Sequence, residues 1–211
     1  MVLGKVAALS IILGLAGYIG PLPEHEGTVL FASKPATRKR IVSLLCAMIG
    51  WLALPAAAEV SPADLHAAVR ALGFLSSLQN RSAILIGVVY NGADPAAKAS
   101  ALRAAGELSH LAGPGSAAVT AVAVATQELG SQHFDALYLM TLPGDAARPV
   151  GDYIRRQSVV SVSSDPQCLE MQTCVLLVQS RQSMSVVLDT GLAKAVGAKF
   201  STVFTMLVKR R

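Results

Sequence analysis

Residues 83–95 read AILIGVVYNGADP. From Ala83 to Tyr90 the run is apolar and rich in β-formers, without the polar alternation of a half-solvated strand. Such a run predicts a strand buried on both faces, as in a parallel sheet. Asn91-Gly92 turns the chain, and Asp94-Pro95 predicts a helix start. The carboxylate can cap free N–H groups, and proline suits the first turn. An Ala-rich helix is predicted to run to about Leu111, where Gly113-Pro114-Gly115 breaks it. Strand, short loop and long helix in this order form the repeating unit of an α/β fold.

Working outward from that stretch, Ala117 to Ala125 predicts a second strand, with a short turn through Gln127-Glu128-Leu129. Asp135 to Leu142 (DALYLMTL) predicts a third strand. Pro143-Gly144-Asp145 starts a helix to about Arg156, and Val159 to Val162 predicts a fourth strand. The last third differs: Cys174 to Val178 and Met184 to Leu188 predict a hairpin joined by Gln179-Ser180-Arg181-Gln182. Two short helices are expected at Gly191 to Val196 and Ser201 to Val208, and the terminal Lys209-Arg210-Arg211 reads as a solvated tail, with a phosphate or lipid contact as the weaker alternative. Before the first strand, Ser61-Pro62-Ala63-Asp64 opens a helix, with Ser61 as cap and Asp64 where a capping-box acid reaches back. Leu65, Val69, Leu72 and Leu75 follow at roughly helical spacing. The expected fold class is α/β: a single domain, a mainly parallel sheet with flanking helices, and a C-terminal β-hairpin. No repeat or low-complexity linker divides residues 59–211, which count as one mature domain of 153 residues.

Residues 38–58 read as a signal peptide: Arg38-Lys39-Arg40, a 14-residue apolar run IVSLLCAMIGWLAL, then Pro55 and the small residues Ala56-Ala57-Ala58. Cleavage is expected between Ala58 and Glu59, and the localisation periplasmic. The apolar run is shorter than the roughly 20 residues a spanning helix needs, so anchoring by residues 41–60 is the weaker alternative. Cys46 follows Leu45 and not a small residue, which disfavours a lipid anchor there. Residues 1–37 carry a further apolar stretch, Val6 to Ile19, and read as an N-terminal extension from a start codon assigned too far upstream. A membrane hairpin, or a first stretch acting as the true signal, are the competing readings.

The whole chain is 53% hydrophobic and 15% charged, which excludes a disordered chain, a collagen-like repeat and a disulfide-dense miniprotein. Its formal charge of +5 is concentrated in the leader; residues 59–211 hold 13 basic and 11 acidic groups, a net of +2. No basic footprint for nucleic acid remains, and an aromatic content of 5% does not suit a platform of stacked bases. Only Cys168 and Cys174 survive cleavage. An even pair in an oxidising compartment reads as a disulfide, structural or redox-sensitive. A catalytic dithiol is disfavoured by the C-x5-C spacing, and a metal site by the lack of a nearby histidine.

Catalytic, cofactor-binding and metal motifs are not found. The first strand is followed by no G-x-G-x-x-G and no Walker lysine, and no G-x-S-x-G elbow occurs. His66, His110 and His133 fall in different elements. Ser163-Ser164-Asp165, after a strand, can face a ligand at the carboxyl edge of the sheet or form a capped turn.

Residues 158–208 carry a strand ending at Ser164-Asp165, a loop holding Cys168 and Cys174, an apolar strand, and the ending Val187-Leu188-Asp189-Thr190, Ala195, Gly197, Phe200-Ser201, Met206-Leu207. With ILIGVVYNGADP at 84–95 and FDALYLMTLP at 134–143, this resembles the YfiR-like family of periplasmic regulators over roughly residues 62–211. The chain departs from the family pattern at Met171-Gln172, at Asp189 and at Gly73-Phe74-Leu75. The resemblance implies a non-enzymatic repressor that binds the periplasmic sensor part of an inner-membrane diguanylate cyclase and lowers cyclic-di-GMP signalling, and hence biofilm formation. It also implies a fold-supporting, redox-responsive disulfide and a possible homodimer. The alternative is a periplasmic small-ligand-binding domain associated with a transporter, since ILIGVVYNGADP also resembles the first strand of such binding proteins. A structural envelope protein without a ligand is the third reading.

Overall fold

The computed structural model of the chain describes residues 60–181 and 183–211. The expectations for residues 1–37, the signal peptide 38–58, cleavage between Ala58 and Glu59 and the anchor at 41–60 lie outside the described residues, Val60 excepted.

Ala83–Tyr90 forms strand β1, with Ile84 and every residue from Ile86 onward buried, Gly87 included. A Cβ at Gly87 would come within 2.9 Å of Leu137 Cδ2 and 3.0 Å of the Phe134 ring, so glycine lets this side of the strand pack closely. Helix α1 (Pro62–Leu72) precedes β1, and α2 (Pro95–Ser109) follows it. Next come β2 (Ala118–Ala125), β3 (Ala136–Leu139), α3 (Gly144–Gln157), β4 (Val160–Ser163) and the one-turn helix α4 (Gln167–Glu170). The chain closes with β5 (Leu176–Ser180), β6 (Met184–Leu188), α5 (Thr190–Ala195), α6 (Thr202–Leu207) and β7 (Lys209–Arg210).

The seven strands form one sheet in the order β2-β1-β3-β4-β5-β6-β7. β1 to β5 run parallel, β6 returns antiparallel beside β5, and β7 lies parallel to β6. The α/β class, the mainly parallel sheet and the C-terminal hairpin are therefore as expected. Helix α2 packs on β1 and β2, while α1 packs across β5 and against α2. The amphipathic pattern of α1 explains its seat: Leu65, Val69 and Leu72 are buried, and Arg70 stays outside.

Five local expectations are corrected. The first hairpin strand runs Leu176–Ser180 instead of Cys174–Val178, so Gln179 and Ser180 belong to the strand and not to the connection. The third strand ends at Leu139 instead of Leu142: Met140 N–H still donates to Val89 O at 2.9 Å, but the next residues leave the sheet toward Pro143, which begins α3. Helix α4 was not foreseen, because four residues are too few to show a period. Asp64 does not close a capping box. Its carboxylate instead accepts from Ser180 N at 2.6 Å and from Ser180 Oγ, 116 residues away. The terminal run is not a free tail. Lys209 and Arg210 align with Val187 and Leu188, and Arg211 N–H donates to Leu188 O at 3.0 Å. Backbone groups of β6 would otherwise stand unpaired, which is the physical reason a short basic segment adds itself as a strand; its side chains remain exposed.

Strand β4 reads Val-Ser-Val-Ser, yet all four residues are buried. Burying a hydroxyl is costly unless it is bonded, and both are: Ser161 Oγ donates to Thr173 O at 2.7 Å, and Ser163 Oγ donates to Leu139 O at 2.9 Å. The two serines thus tie β4 to β3 on one side and to the cysteine loop on the other.

Candidate functional site: a crevice at the carboxyl edge of the sheet

From β1 the chain travels one way to β2, and β3 lies on the other side of β1. Loops leaving neighbouring strands therefore diverge, and in open α/β sheets this switch point outside the carboxyl ends is where a crevice forms. A cavity of about 860 Å³ opens there. Asn91 and Asp94 reach it from the loop after β1, Met140 to Pro143 from the loop after β3, and Ser164 to Gln167 from the loop after β4. Gln179 and Arg181 enter from the end of β5, and Val60, Ser61 and Asp64 from the start of α1. A smaller groove of about 450 Å³ runs between α1 and α2.

The walls are held by bonds within the loops and by one between them. Asn91 Oδ1 accepts from Ala93 N at 3.1 Å, and Asp94 Oδ1 accepts from Ala96 N at 2.8 Å, capping α2. Asp165 Oδ1 accepts from Gln167 N at 2.9 Å and so opens α4. Asp165 N–H donates to Ser163 Oγ at 3.1 Å, and Gln179 Nε2 donates to Ser164 O at 3.3 Å. The two readings of Ser163-Ser164-Asp165 are both true: the triplet is a capped turn, and Ser164 and Asp165 also line the crevice. Three carboxylates, Asp64, Asp94 and Asp165, share the lining with one guanidinium, Arg181. The site suits a small polar molecule bearing a cationic group, with Arg181 available to an anionic one.

Tyr138 sits below the crevice floor, 2% exposed, and its hydroxyl donates to Ser164 Oγ at 3.1 Å. Burial pushes its phenol up to about 12; the Ser164 bond works against that shift, and the Asp64 charge adds to it. A raised folded pKa means that stability is intact below the unfolded value near 10 and is lost as pH rises from there through about 12. Tyr153, raised by burial as well, adds to the same alkaline loss. Urea unfolding of the wild type from pH 9 to 12 is expected to show this decline. Tyr138→Phe should flatten it by on the order of 3 kcal/mol, after a cost of about 1 kcal/mol at neutral pH for the lost hydrogen bond. Identical pH profiles for the two proteins would show that Tyr138 is not the titrating group.

Cys168 and Cys174 form the expected disulfide, with Cα atoms 5.4 Å apart. It closes the loop behind Asp165, Pro166 and Gln167, and both cysteines are buried. Thr173 N–H and Oγ1 both donate to Cys168 O, at 2.9 and 3.2 Å. The disulfide does not line the crevice; it backs the wall that does. His66, His110 and His133 are exposed, and none reaches the cavity. No group of three or more His, Cys, Asp or Glu residues among those described could hold a metal ion. Among the described residues no helix is long and apolar enough to cross a membrane.

Sequence reading placed Ser164 and Asp165 at the edge but missed Asp64, Gln179 and Arg181. Their signal is weak, since each belongs to an element read for other reasons. Asn91, Asp94 and Thr141 were recoverable, because each lies just past the carboxyl end of a strand.

No protein-family model and no curated protein matches this chain. Among solved structures, the fold is similar to an ABC domain from Streptococcus pneumonia crystallised in complex with L-Trp, with a TM-score of 0.50 and 12% identity. That match covers 70% of this chain and 61% of the other. A conserved domain protein from Vibrio cholerae gives a TM-score of 0.49 at 11% identity, covering 69% of this chain and 59% of that one. This chain thus spans about three fifths of the length of either structure. At 12% identity the likeness to the Streptococcus structure bears on the α/β fold alone.

Proposed function

We propose that this chain is a periplasmic, non-catalytic recognition domain that takes a small polar ligand in the crevice at the carboxyl edge of its sheet. The observation that carries the reading is the crevice itself: about 860 Å³ at the switch point, lined by four strand-end loops and the start of α1, with three carboxylates and one guanidinium. Small-molecule sites of α/β domains form at this place and at this size. The similar Streptococcus structure, an ABC domain bound to L-Trp, supports a ligand-binding role and makes free amino acids the first compounds to try.

The test is thermal melting of the protein with and without a panel of amino acids, L-tryptophan included, followed by calorimetry on any compound that stabilises. A ligand at about 100 times its Kd adds about 2.7 kcal/mol. Ala97→Trp, on the crevice wall, should abolish the shift while the ligand-free protein still unfolds cooperatively. A shift that survives Ala97→Trp would place binding elsewhere, and no shift across the panel would reject this ligand class.

A second reading is favoured by the Cys168–Cys174 disulfide standing before the β5–β6 hairpin, which accords with the YfiR-like resemblance. In it the domain represses an inner-membrane diguanylate cyclase by contact with the cyclase's sensor part, with or without a homodimer, and needs no cofactor. Deleting the gene should raise cellular cyclic-di-GMP, and returning the full-length gene should reverse the rise. No change on deletion would reject this reading and leave the crevice reading intact.

A further inference from the structure

Helix α6 holds apolar side chains outward. Val203 is 63% exposed, Met206 78% and Leu207 77%, and they share one helical face at i, i+3 and i+4. They account for half of the large exposed apolar residues among the described ones, and a fourth, Phe74, packs directly beneath. This is not a loose terminus. Phe204, on the opposite side of α6, is buried and stacks on Phe74 and Phe200 with ring centroids 4.9 and 5.2 Å away. Ser201 caps the helix by accepting from Phe204 N at 3.3 Å, and β7 pins the chain immediately afterwards. The exposed face is therefore held in place by aromatic packing below it.

The segment that carries that face holds one sign of charge. Residues 199–211 contain Lys199, Lys209, Arg210 and Arg211 and no acid. All four are exposed, and no ion pair is formed by any of them among the described residues. A protruding apolar ridge beside unpaired cations is complementary to one kind of surface: an anionic lipid interface. Apolar side chains enter the headgroup boundary while the cations meet phosphates. A protein partner would need a patch of roughly 800 Å² on each side, far beyond three side chains.

We propose that α6 and β7 dock this protein, crevice aside, onto an anionic phospholipid surface. The contact is peripheral and electrostatically assisted, with Val203, Met206 and Leu207 inserted and the exposed cations of the same segment attracted to headgroups.

Met206 reports on this directly, because an exposed thioether is oxidised to the sulfoxide by peroxide and a lipid-inserted one is shielded. Met184, 55% exposed on β6, serves as the internal control. The full chain is treated with dilute hydrogen peroxide in the presence of vesicles of 30% phosphatidylglycerol in phosphatidylcholine, of phosphatidylcholine alone, or without vesicles, and each methionine is followed by mass spectrometry. Anionic vesicles should slow Met206 oxidation about five-fold, leave Met184 unchanged and lose their effect at high salt. Phosphatidylcholine vesicles should protect little. The triple variant Lys209→Gln/Arg210→Gln/Arg211→Gln should lose the protection while melting like the wild type, since the three side chains are exposed. Equal Met206 rates with and without anionic vesicles overturn the proposal. Protection that rises with protein concentration in the absence of lipid also overturns it, by showing that a second copy covers the helix. Protection retained in the triple variant, or equal on both vesicle types, overturns the charge-assisted contact.

Discussion

Phe134→Ala is expected to lower the melting temperature by roughly 10 °C, the largest single effect at a position outside the crevice. Phe134 heads the set of largest fully buried side chains and is 0% exposed. Its ring lies where a Cβ on Gly87 would come to 3.0 Å, so it fills the space that the glycine leaves beside β1. Removing the ring loses its transfer free energy and leaves a cavity beside two central strands whose backbones cannot close in. Such truncations cost about 3–5 kcal/mol, and each kcal/mol moves the midpoint of a domain this size by about 2–4 °C. Thermal unfolding followed by circular dichroism measures it. Phe74→Ala is the comparison, since Phe74 is 38% exposed and should cost much less. A shift of under about 3 °C for Phe134→Ala would mean that the site collapses around the missing ring, and that the close β1–β3 approach does not depend on it.

The second large effect belongs to the disulfide. Cys174→Ser is expected to cost roughly 2–5 kcal/mol. Part is entropic: freeing a seven-residue loop restores about 2.4 kcal/mol of denatured-state freedom. The rest is local, because Cys174 is 0% exposed and a serine there places a hydroxyl among apolar neighbours. Pro166 and Gln167 of the crevice wall immediately precede the closed loop, so faster amide exchange over residues 165–173 should accompany the drop in melting temperature. The variant is a cleaner probe than reductant, because buried sulfurs wait for an opening before thiols reach them. Equal melting of wild type and Cys174→Ser would show that the Thr173 bonds to Cys168 O and the packing of β5 hold the loop without the covalent link.

The parts of the fold that were legible share one property: the signal lies within a few residues of the structure it specifies. β1 is found at Ala83–Tyr90 as its apolar run predicts, and α2 begins at the Asp94-Pro95 start signal. The hairpin strand Met184–Leu188 is likewise found where it was expected. Errors gathered where a local signal had two outlets. Asp64 stands at a capping position, and its carboxylate goes instead to Ser180. The burial of Ser161 and Ser163 is a point on which the sequence carries no expectation: it depends on the backbone acceptors Thr173 O and Leu139 O, which belong to other segments. Lys209 and Arg210 look like a charged tail, and an edge strand with unpaired backbone recruits them.

By itself, then, the sequence determined the fold class and the order of the longer elements, the parallel core strand, the hairpin and the cysteine pair, because periodicity, caps and β-rich runs act over one or two turns of chain. Only the tertiary structure decided the strand order, the Asp64–Ser180 tie and the crevice. It also decided which face of α6 stays uncovered. These depend on which segments meet across tens to more than a hundred residues. A periodic pattern says that a face is buried and carries no record of what buries it.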